Sequence, residues 1–235
     1  MEQLARFAND FGVSLTAVQL EQFAAYENLL LAWNTHTNLT AIRTPKEIRI
    51  RHFLDGLSCV LATGDLNGRS LIDIGTGAGF PGLPLKIAFP QMRLTLVESV
   101  AKKARFLTEV VQILSLEHVT VLTERAEVAG QMPAHREQYD WAVARAVAEM
   151  RILAEYLLPF CRVGGHMLAQ KGGSALAEID AAQTALATLG GGSPFWKSAQ
   201  LPEREELHYL IVVPKVTSTP ESYPRRVGRP AKRPL

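Results

Sequence analysis

The sequence predicts an α/β protein built on a mostly parallel sheet, and three observations carry that prediction. From residue 70 onward short apolar runs alternate with helical segments, the texture of a parallel sheet covered on both faces. A glycine-rich stretch, Gly75-Thr-Gly-Ala-Gly-Phe-Pro-Gly82, stands between the first of these runs and the helix that follows it. The last apolar run, residues 207–213, has no crossover helix after it, so pairing through a short loop would make it antiparallel.

The first sixty residues read as helices. Leu4, Phe7, Ala8 and Phe11 recur at helical spacing and Gly12 follows as a stop. Thr16 and Gln19 form a capping-box pattern ahead of a long amphipathic stretch through Phe23 and Leu31. Thr44-Pro45-Lys46-Glu47 supplies a capping residue, proline at the first helical position and glutamate at the third, starting a helix that projects Arg49, Arg51 and His52 before Leu57. Strands are expected at 71–74, 93–98, 119–122, 141–144, 166–169 and 207–213, with helices beginning at 84 and spanning 102–114, 152–160 and 175–189. The segment Gly190-Gly-Gly-Ser193 reads as a loop.

An apolar fraction of 47% over 235 residues can fill a sizeable core. The formal charge is only +2, yet residues 215–235 hold Lys215, Arg225, Arg226, Arg229, Lys232 and Arg233 against Glu221 alone. A basic tail on a mildly acidic body suits an anionic partner, although a solvated, disordered end has the same composition. Cys59 and Cys161 are far apart and flanked by apolar residues, so neither a disulfide framework nor a zinc cluster is readable. No signal peptide or membrane-spanning run is present, and a cytoplasmic protein is expected.

Alternate glycines in the 75–82 turn permit positive φ and let a ligand lie against the backbone. Gly77, Gly79 and Gly82 also satisfy G-x-G-x-x-G, so a dinucleotide remains open on pattern alone, as does a tight turn with no ligand. Pro81 and Pro84 argue against the dinucleotide, since each removes an N–H near the helix start where pyrophosphate is held. Glu98 ends the second strand about twenty residues after Gly75, the spacing of a ribose-binding acid.

Further segments stand in order along the chain: Trp33-Asn34 with Asn38-Leu-Thr40, Arg51-His-Phe-Leu-Asp55, Asp73 to Gly82, Glu98-Ser99 with Lys102-Lys-Ala-Arg-Phe-Leu107, Arg125-Ala-Glu127, Ala144-Arg-Ala146, Lys171-Gly172, and Tyr223-Pro-Arg-Arg226 with Lys232-Arg-Pro234. With these the sequence resembles, over nearly its whole length, the glucose-inhibited division protein B family of bacterial 16S rRNA guanine-N7 methyltransferases, the small-subunit methyltransferases G. Glu98 departs from the aspartate of many relatives and keeps the carboxylate.

The resemblance implies a Rossmann-like class I methyltransferase fold with a mostly parallel seven-stranded sheet, an antiparallel C-terminal strand and an N-terminal helical extension. It divides the chain into a helical subdomain (1–64), a methyltransferase domain (65–214) and a basic tail (215–235). It implies S-adenosyl-L-methionine as cofactor, held by Gly75, Gly77, Gly79 and Phe80, by Glu98, Ser99 and Val100 at the ribose, by Ala126 and Glu127 at the adenine, and closed by Arg145. The implied target is N7 of guanine 527 in the 530 loop of 16S rRNA, within the 30S subunit or an assembly intermediate, with the enzyme a monomer.

Guanine N7 offers an in-plane lone pair with no proton to remove, so no general base is required and Arg145 is expected to position. Candidate RNA contacts are Lys102, Lys103, Arg105, Arg125, Lys171, Arg225 and Arg226, with Arg49 and Arg51 on the N-terminal helix. Trp196 and Tyr209 read as packed against the sheet, with base stacking the alternative. His52 and Asp55, three apart on one helix, read as a structural pair without a third metal ligand. Two competing functions remain: an NAD-dependent oxidoreductase and a non-catalytic RNA-binding assembly factor. Removing residues 223–235 is expected to weaken RNA engagement more than cofactor binding.

Overall fold

In a computed structural model, residues 1–145, 148–173 and 175–235 are described; Ala146, beside Arg145 in the sequence motif, lies outside them. Helices α1 (Glu2–Asp10), α2 (Ala17–Asn34), α3 (Pro45–Ile48), α4 (Asp55–Leu57) and α5 (Val60–Thr63) precede the sheet. The alternation then runs β1 (Ser70–Ile74), α6 (Gly82–Ala88), β2 (Arg93–Val97), α7 (Ala101–Ile113), β3 (Val119–Leu122), α8 (Ala126–Ala129), β4 (Tyr139–Arg145), α9 (Met150–Leu157), β5 (Cys161–Lys171) and α10 (Ala175–Thr188). A hairpin of β6 (Phe195–Gln200) and β7 (Leu207–Pro214) follows, and α11 (Arg229–Lys232) ends the chain.

The seven strands lie in the order β3-β2-β1-β4-β5-β7-β6. Strands β1 to β5 are parallel, and β7 runs antiparallel between β5 and β6. The terminal antiparallel strand is as expected, but β6 has no counterpart among the strands read from the sequence. Its six residues are exposed apart from Ala199, so no alternation of apolar and polar marks it. Trp196 on this edge strand is 48% exposed, against the packed role expected for it, whereas Tyr209 is half-buried.

Successive strand residues face opposite sides, and the core divides accordingly. Leu71, Leu94, Leu96, Trp141, Val143, Leu168, Leu210 and Val212 join Phe23, Tyr26, Leu30, Phe53 and Phe106 of the helices in one cluster. Ile72, Ile74, Ala142, Met167, Ile211 and Val213 pack with α9 and α10 on the other. Phe23, Tyr26 and Phe53 are fully buried, each contributing about 2–3 kcal/mol of apolar burial, so the N-terminal helices are fastened to the sheet rather than laid beside it. The Thr16 capping box forms, and Gln19 also donates from Nε2 to the carbonyls of Ile87 (2.8 Å) and Ala88 (3.1 Å) at the end of α6.

The helix begun at Thr44 departs from its expected regularity. After α3 the backbone widens into a π-helical segment, Arg49–Leu54, before α4. Such bulges turn side chains out of the ordinary helical rotation and recur at functional sites.

The tail is ordered against the body. Arg225 pairs with Glu155 of α9, whose side chain is 1% exposed, through contacts of 2.6–3.1 Å. The Arg136 guanidinium donates to the carbonyls of Gly130, Thr219, Pro220 and Tyr223. Lys215 is buried, with its ammonium on the carbonyls of Leu158 and Leu189 and 3.2 Å from Glu137.

Candidate active site

The carboxyl ends of β1 to β5 form one edge, and the turn after β1 is shaped there by three glycines that serve different needs. Gly75, Gly77 and Gly79 have φ of 65°, 62° and 102°, values open to glycine at no steric cost. A Cβ on Gly79 would press on Leu83 and lie 2.7 Å from Tyr26 Oη, and one on Gly82 would lie 2.9 Å from Asp73 Oδ2, so these two positions are closed by packing. At Gly77 a Cβ would meet nothing within 4 Å, which marks the open side of the turn. Tyr26 braces the turn from α2 by donating to the Ala78 carbonyl.

Two carboxylates hold this backbone. Asp73, fully buried, accepts at Oδ2 from Thr76 Oγ1 (2.7 Å) and Gly82 N (2.8 Å), while its Oδ1 has no partner among the described residues. Burial raises the Asp73 carboxyl to about 6 against the opposing hydrogen bonds from Thr76 and Gly82. Glu98, at the end of β2, accepts from Gly77 N (3.0 Å) and Val100 N (2.8 Å), tying the turn to the start of α7. Val100 itself is 47% exposed, and Ser99 is exposed beside it. The first N–H of α6 is therefore already taken by Asp73. A pyrophosphate would meet two carboxylates in place of a free helix N-terminus. The same negative potential fits S-adenosylmethionine, which carries a sulfonium and an ammonium, and Asp73 Oδ1 is an orphaned acceptor beneath the turn.

Ala126 and Glu127 open α8 after β3, on the same edge. Glu127 is buried because the tail covers it: Gly228 N donates to its Oε1 at 2.9 Å. Phe80 is 4% exposed and held in a stack, with the His52 ring 4.3 Å away on centroids and the Arg145 guanidinium 4.9 Å from its centroid. It forms wall between the turn and the space beyond rather than an open contact.

Arg145 ends β4 and binds the π segment. Its Nη1 donates to Asp55 Oδ2 (2.9 Å) and the Arg51 carbonyl (3.0 Å), and its Nη2 lies 3.1 Å from His52 Nδ1. His52 and Asp55 are thus joined through Arg145 and not as the mutual pair read from their spacing. Burial, then the charge of Arg145, drives the His52 imidazole down to about 3, so the ring is neutral. Its Nδ1 also lies 3.0 Å from the Arg51 carbonyl, and its Nε2 is 2.8 Å from Thr40 Oγ1, so the ring is held from both nitrogens. Asn34 explains its motif: it accepts from the amides of Leu39 and Thr40 and donates to the Thr40 carbonyl, folding the loop that delivers Thr40 to His52.

Beyond Arg145 lies a cleft of about 270 Å³, lined by Arg51, Asp55, Arg145, Gln170, Leu201 and His208 among others. Arg145 of β4 sits in register with Gln170 of β5, and Gln170 with Leu210 of β7. The alternation that sends Val143, Leu168 and Leu210 toward the N-terminal helices sends Arg145, Gln170 and His208 there too. His208 Nδ1 is 2.8 Å from Asp55 Oδ1. Burial works to raise the Asp55 carboxyl, but His208 and Arg145 outweigh it and hold it below its ordinary value, while the hydrogen bond to Asp55 raises His208. Sequence reasoning missed Gln170 and His208, and only strand parity could have grouped them with Arg145.

The expected RNA contacts separate into two groups. Lys102 and Arg105 on α7, Arg125 and Arg226 are exposed and Lys103 is half-buried, with Lys102 Nζ also on the His36 carbonyl at 2.8 Å. Lys171 is held by Glu178 (2.7 Å) and the Ala148 carbonyl (2.8 Å), and Arg225 by Glu155, so both cations are engaged within the fold. Arg49 is likewise bidentate on Glu27, while exposed Arg51 lies 3.5 Å from Glu47. Among the described residues no group of three potential ligands could hold a metal ion, and no helix is long and apolar enough to cross a membrane.

Comparison with known proteins gives the family. A small-subunit rRNA methyltransferase G from Roseiflexus castenholzii is 53% identical over 235 residues, covering 100% of both chains. One from Alkaliphilus metalliredigens is 46% identical over 226 residues, 96% of this chain and 95% of its own. In fold, the chain is similar to a SAM-dependent methyltransferase from Aquifex aeolicus, with a TM-score of 0.53 and 16% identity over 72% of this chain and 93% of that one. The model of the GidB family, rRNA small subunit methyltransferase G, matches residues 19–207, and the chain belongs to that family.

Proposed function

We propose that this chain transfers the methyl group of S-adenosylmethionine to N7 of guanine 527 in the 530 loop of 16S rRNA, acting as a cytoplasmic monomer on the 30S subunit or an assembly intermediate. The observation that carries the reading is the position of Arg145, in contact with Phe80 of the glycine turn on one side and with Asp55 at the cleft on the other. That arrangement supports two adjoining sites, a cradle for a cationic cofactor and a pocket of mixed character for a base.

The bound cofactor supplies a methyl carbon on a sulfonium, open to in-line attack. The chain's own residues hold and orient. The open side of Gly77 admits the cofactor against the backbone, in a turn that the positive φ of Gly75 and the close packing of Gly79 shape; Glu98, Ser99 and Val100 take its ribose end, and Ala126 and Glu127 flank the adenine. Arg145 fixes the wall between cofactor and base, and orientation of this kind supplies much of the rate of a transfer that needs no proton removed. Lys102, Lys103, Arg105, Arg125 and Arg226 contact RNA phosphates, whereas Lys171 and Arg225 act through the ion pairs that shape the fold. In this scheme residues 1–64 close the base pocket, 65–214 hold the cofactor and 215–235 brace the adenine side.

The test is transfer of labelled methyl from S-adenosylmethionine to 30S subunits and to naked 16S rRNA from cells lacking the protein, with the product mapped by cleavage at 7-methylguanosine and primer extension. Label at the 530 loop is expected. Absence of label in both substrates would overturn the reading in favour of a non-catalytic assembly factor.

A further inference from the structure

Among the described residues lining the cleft beyond Arg145, one buried side-chain polar atom is left unanswered by its neighbours. Asp55 is matched at both oxygens, by His208 and Arg145, and His52 is matched by Arg145 and Thr40. Gln170, 4% exposed, donates from Nε2 to the Asp55 carbonyl at 2.7 Å, and its Oε1 has no partner among the described residues. The donation fixes the amide's orientation, because the opposite assignment would set two acceptors together. A buried acceptor without a donor is costly and calls for a ligand that brings one.

The geometry points to Gln170 as the residue that distinguishes guanine from adenine. This rests on the guanine-N7 reading above. A base that turns N7 toward the cofactor turns its far edge away from the glycine turn. In guanine that edge carries N1–H and the N2 amino group, both donors, whereas adenine has a lone pair at N1 and a C–H at position 2. Gln170 is two strands along the sheet from β1, roughly 10 Å, which suits a purine with the methyl donor at one end and a hydrogen bond at the other. Leu201 and Ile42 supply apolar wall for the ring, and Asp55, held by His208, fixes the carbonyl that orients the amide. Gln170 Oε1 therefore accepts from the guanine far edge, and adenine in the same pose would set its N1 lone pair against it.

The experiment compares 30S particles reconstituted with guanosine or adenosine at the target, using the wild-type protein and Gln170→Met, which keeps the side chain's length and removes the acceptor. For the variant, kcat/KM on guanosine particles is expected to fall roughly 10- to 100-fold, the S-adenosylmethionine Kd to stay within about twofold, and the guanosine-to-adenosine preference to shrink by the same factor as the guanosine loss. Retained preference, or equal loss on both particles, overturns the assignment. Should the variant not fold, the wild-type protein is compared on guanosine and inosine particles, which share N7, O6 and N1–H and differ only at the N2 amino group: equal rates overturn the assignment, and a loss above about tenfold on inosine upholds a far-edge reader in the cleft. Failure of the wild-type protein to methylate guanosine particles would instead overturn the guanine-N7 reading and this assignment with it.

Discussion

Arg225→Ala tests whether the tail braces the body or merely trails from it. In the wild-type protein Glu155 accepts from the Arg225 backbone N–H at 2.7 Å and from its guanidinium at 2.6–3.1 Å, and no other hydrogen-bond partner of Glu155 is described. Glu155 is 0% exposed, so the substitution leaves a carboxylate away from water with the residue-225 backbone N–H in place of a cation, a change that costs about 3–5 kcal/mol. The converse variant, Glu155→Ala, frees an arginine that is 21% exposed and can swing into solvent, so its cost falls at or below the lower end of that range. At about 2–4 °C per kcal/mol for a chain of this length, Arg225→Ala lowers the melting temperature by roughly 10 °C and Glu155→Ala by less. Thermal unfolding followed by circular dichroism measures both. Titration with S-adenosylmethionine then asks whether Glu127, covered by Gly228 of the same tail, depends on the brace; a several-fold weaker Kd is expected. A melting temperature within 2 °C of wild type for Arg225→Ala would refute the argument.

Other substitutions separate holding from packing. Arg145→Ala should lower methyl transfer by about 100-fold or more while the far-UV spectrum stays unchanged; transfer within threefold of wild type would remove Arg145 from the positioning role. Gly77→Ala forces a side chain into left-handed φ at about 1–2 kcal/mol but fills only open space, so cofactor affinity should fall far more than stability. Gly79→Ala drives a methyl group into Leu83 and Tyr26, so for it the melting temperature should fall most. The pH dependence has two opposed arms. His52, held near 3 when folded, makes the unfolded state the better proton binder below about 6.5, so stability drops as pH falls toward 3. Asp73, raised to about 6, makes the folded state the better binder above about 4, so its contribution is lost as pH climbs to 6. The arms oppose each other between pH 4 and 6, and Asp73→Asn should expose the His52 slope there in urea midpoints; an unchanged profile would exclude Asp73 from the balance.

The parts of the site legible in the sequence are those encoded locally. Gly75 to Gly82, the Thr16 cap and Glu98 at a strand end all act within a few residues or at a fixed offset, and spacing shows them. The glycine pattern alone left a dinucleotide open, and what closes that option is Asp73 occupying the Gly82 amide, a contact no spacing reveals. The cleft was hidden because Asp55 and His208 meet across 153 residues and because the π segment that aims Asp55 has no periodic signature. Strand β6 was hidden by its exposure, having Phe195, Trp196 and Lys197 all on the surface. The brace at Arg225 did leave a trace: Glu155 interrupts the buried Leu153, Ala154 and Leu157 of α9, and a lone carboxylate on an apolar face asks for a distant cation.

The four carbonyls gathered by Arg136 have a consequence for how this protein can change over generations. Its guanidinium touches only main-chain oxygens of Gly130, Thr219, Pro220 and Tyr223, never their side chains. An arginine used in this way recognises the route of the chain and is indifferent to its letters. Strap residues whose side chains are not themselves engaged, as those of Thr219 and Arg225 are, can be exchanged so long as the path is kept, whereas the loss of Arg136 alone would release all four of these carbonyls together.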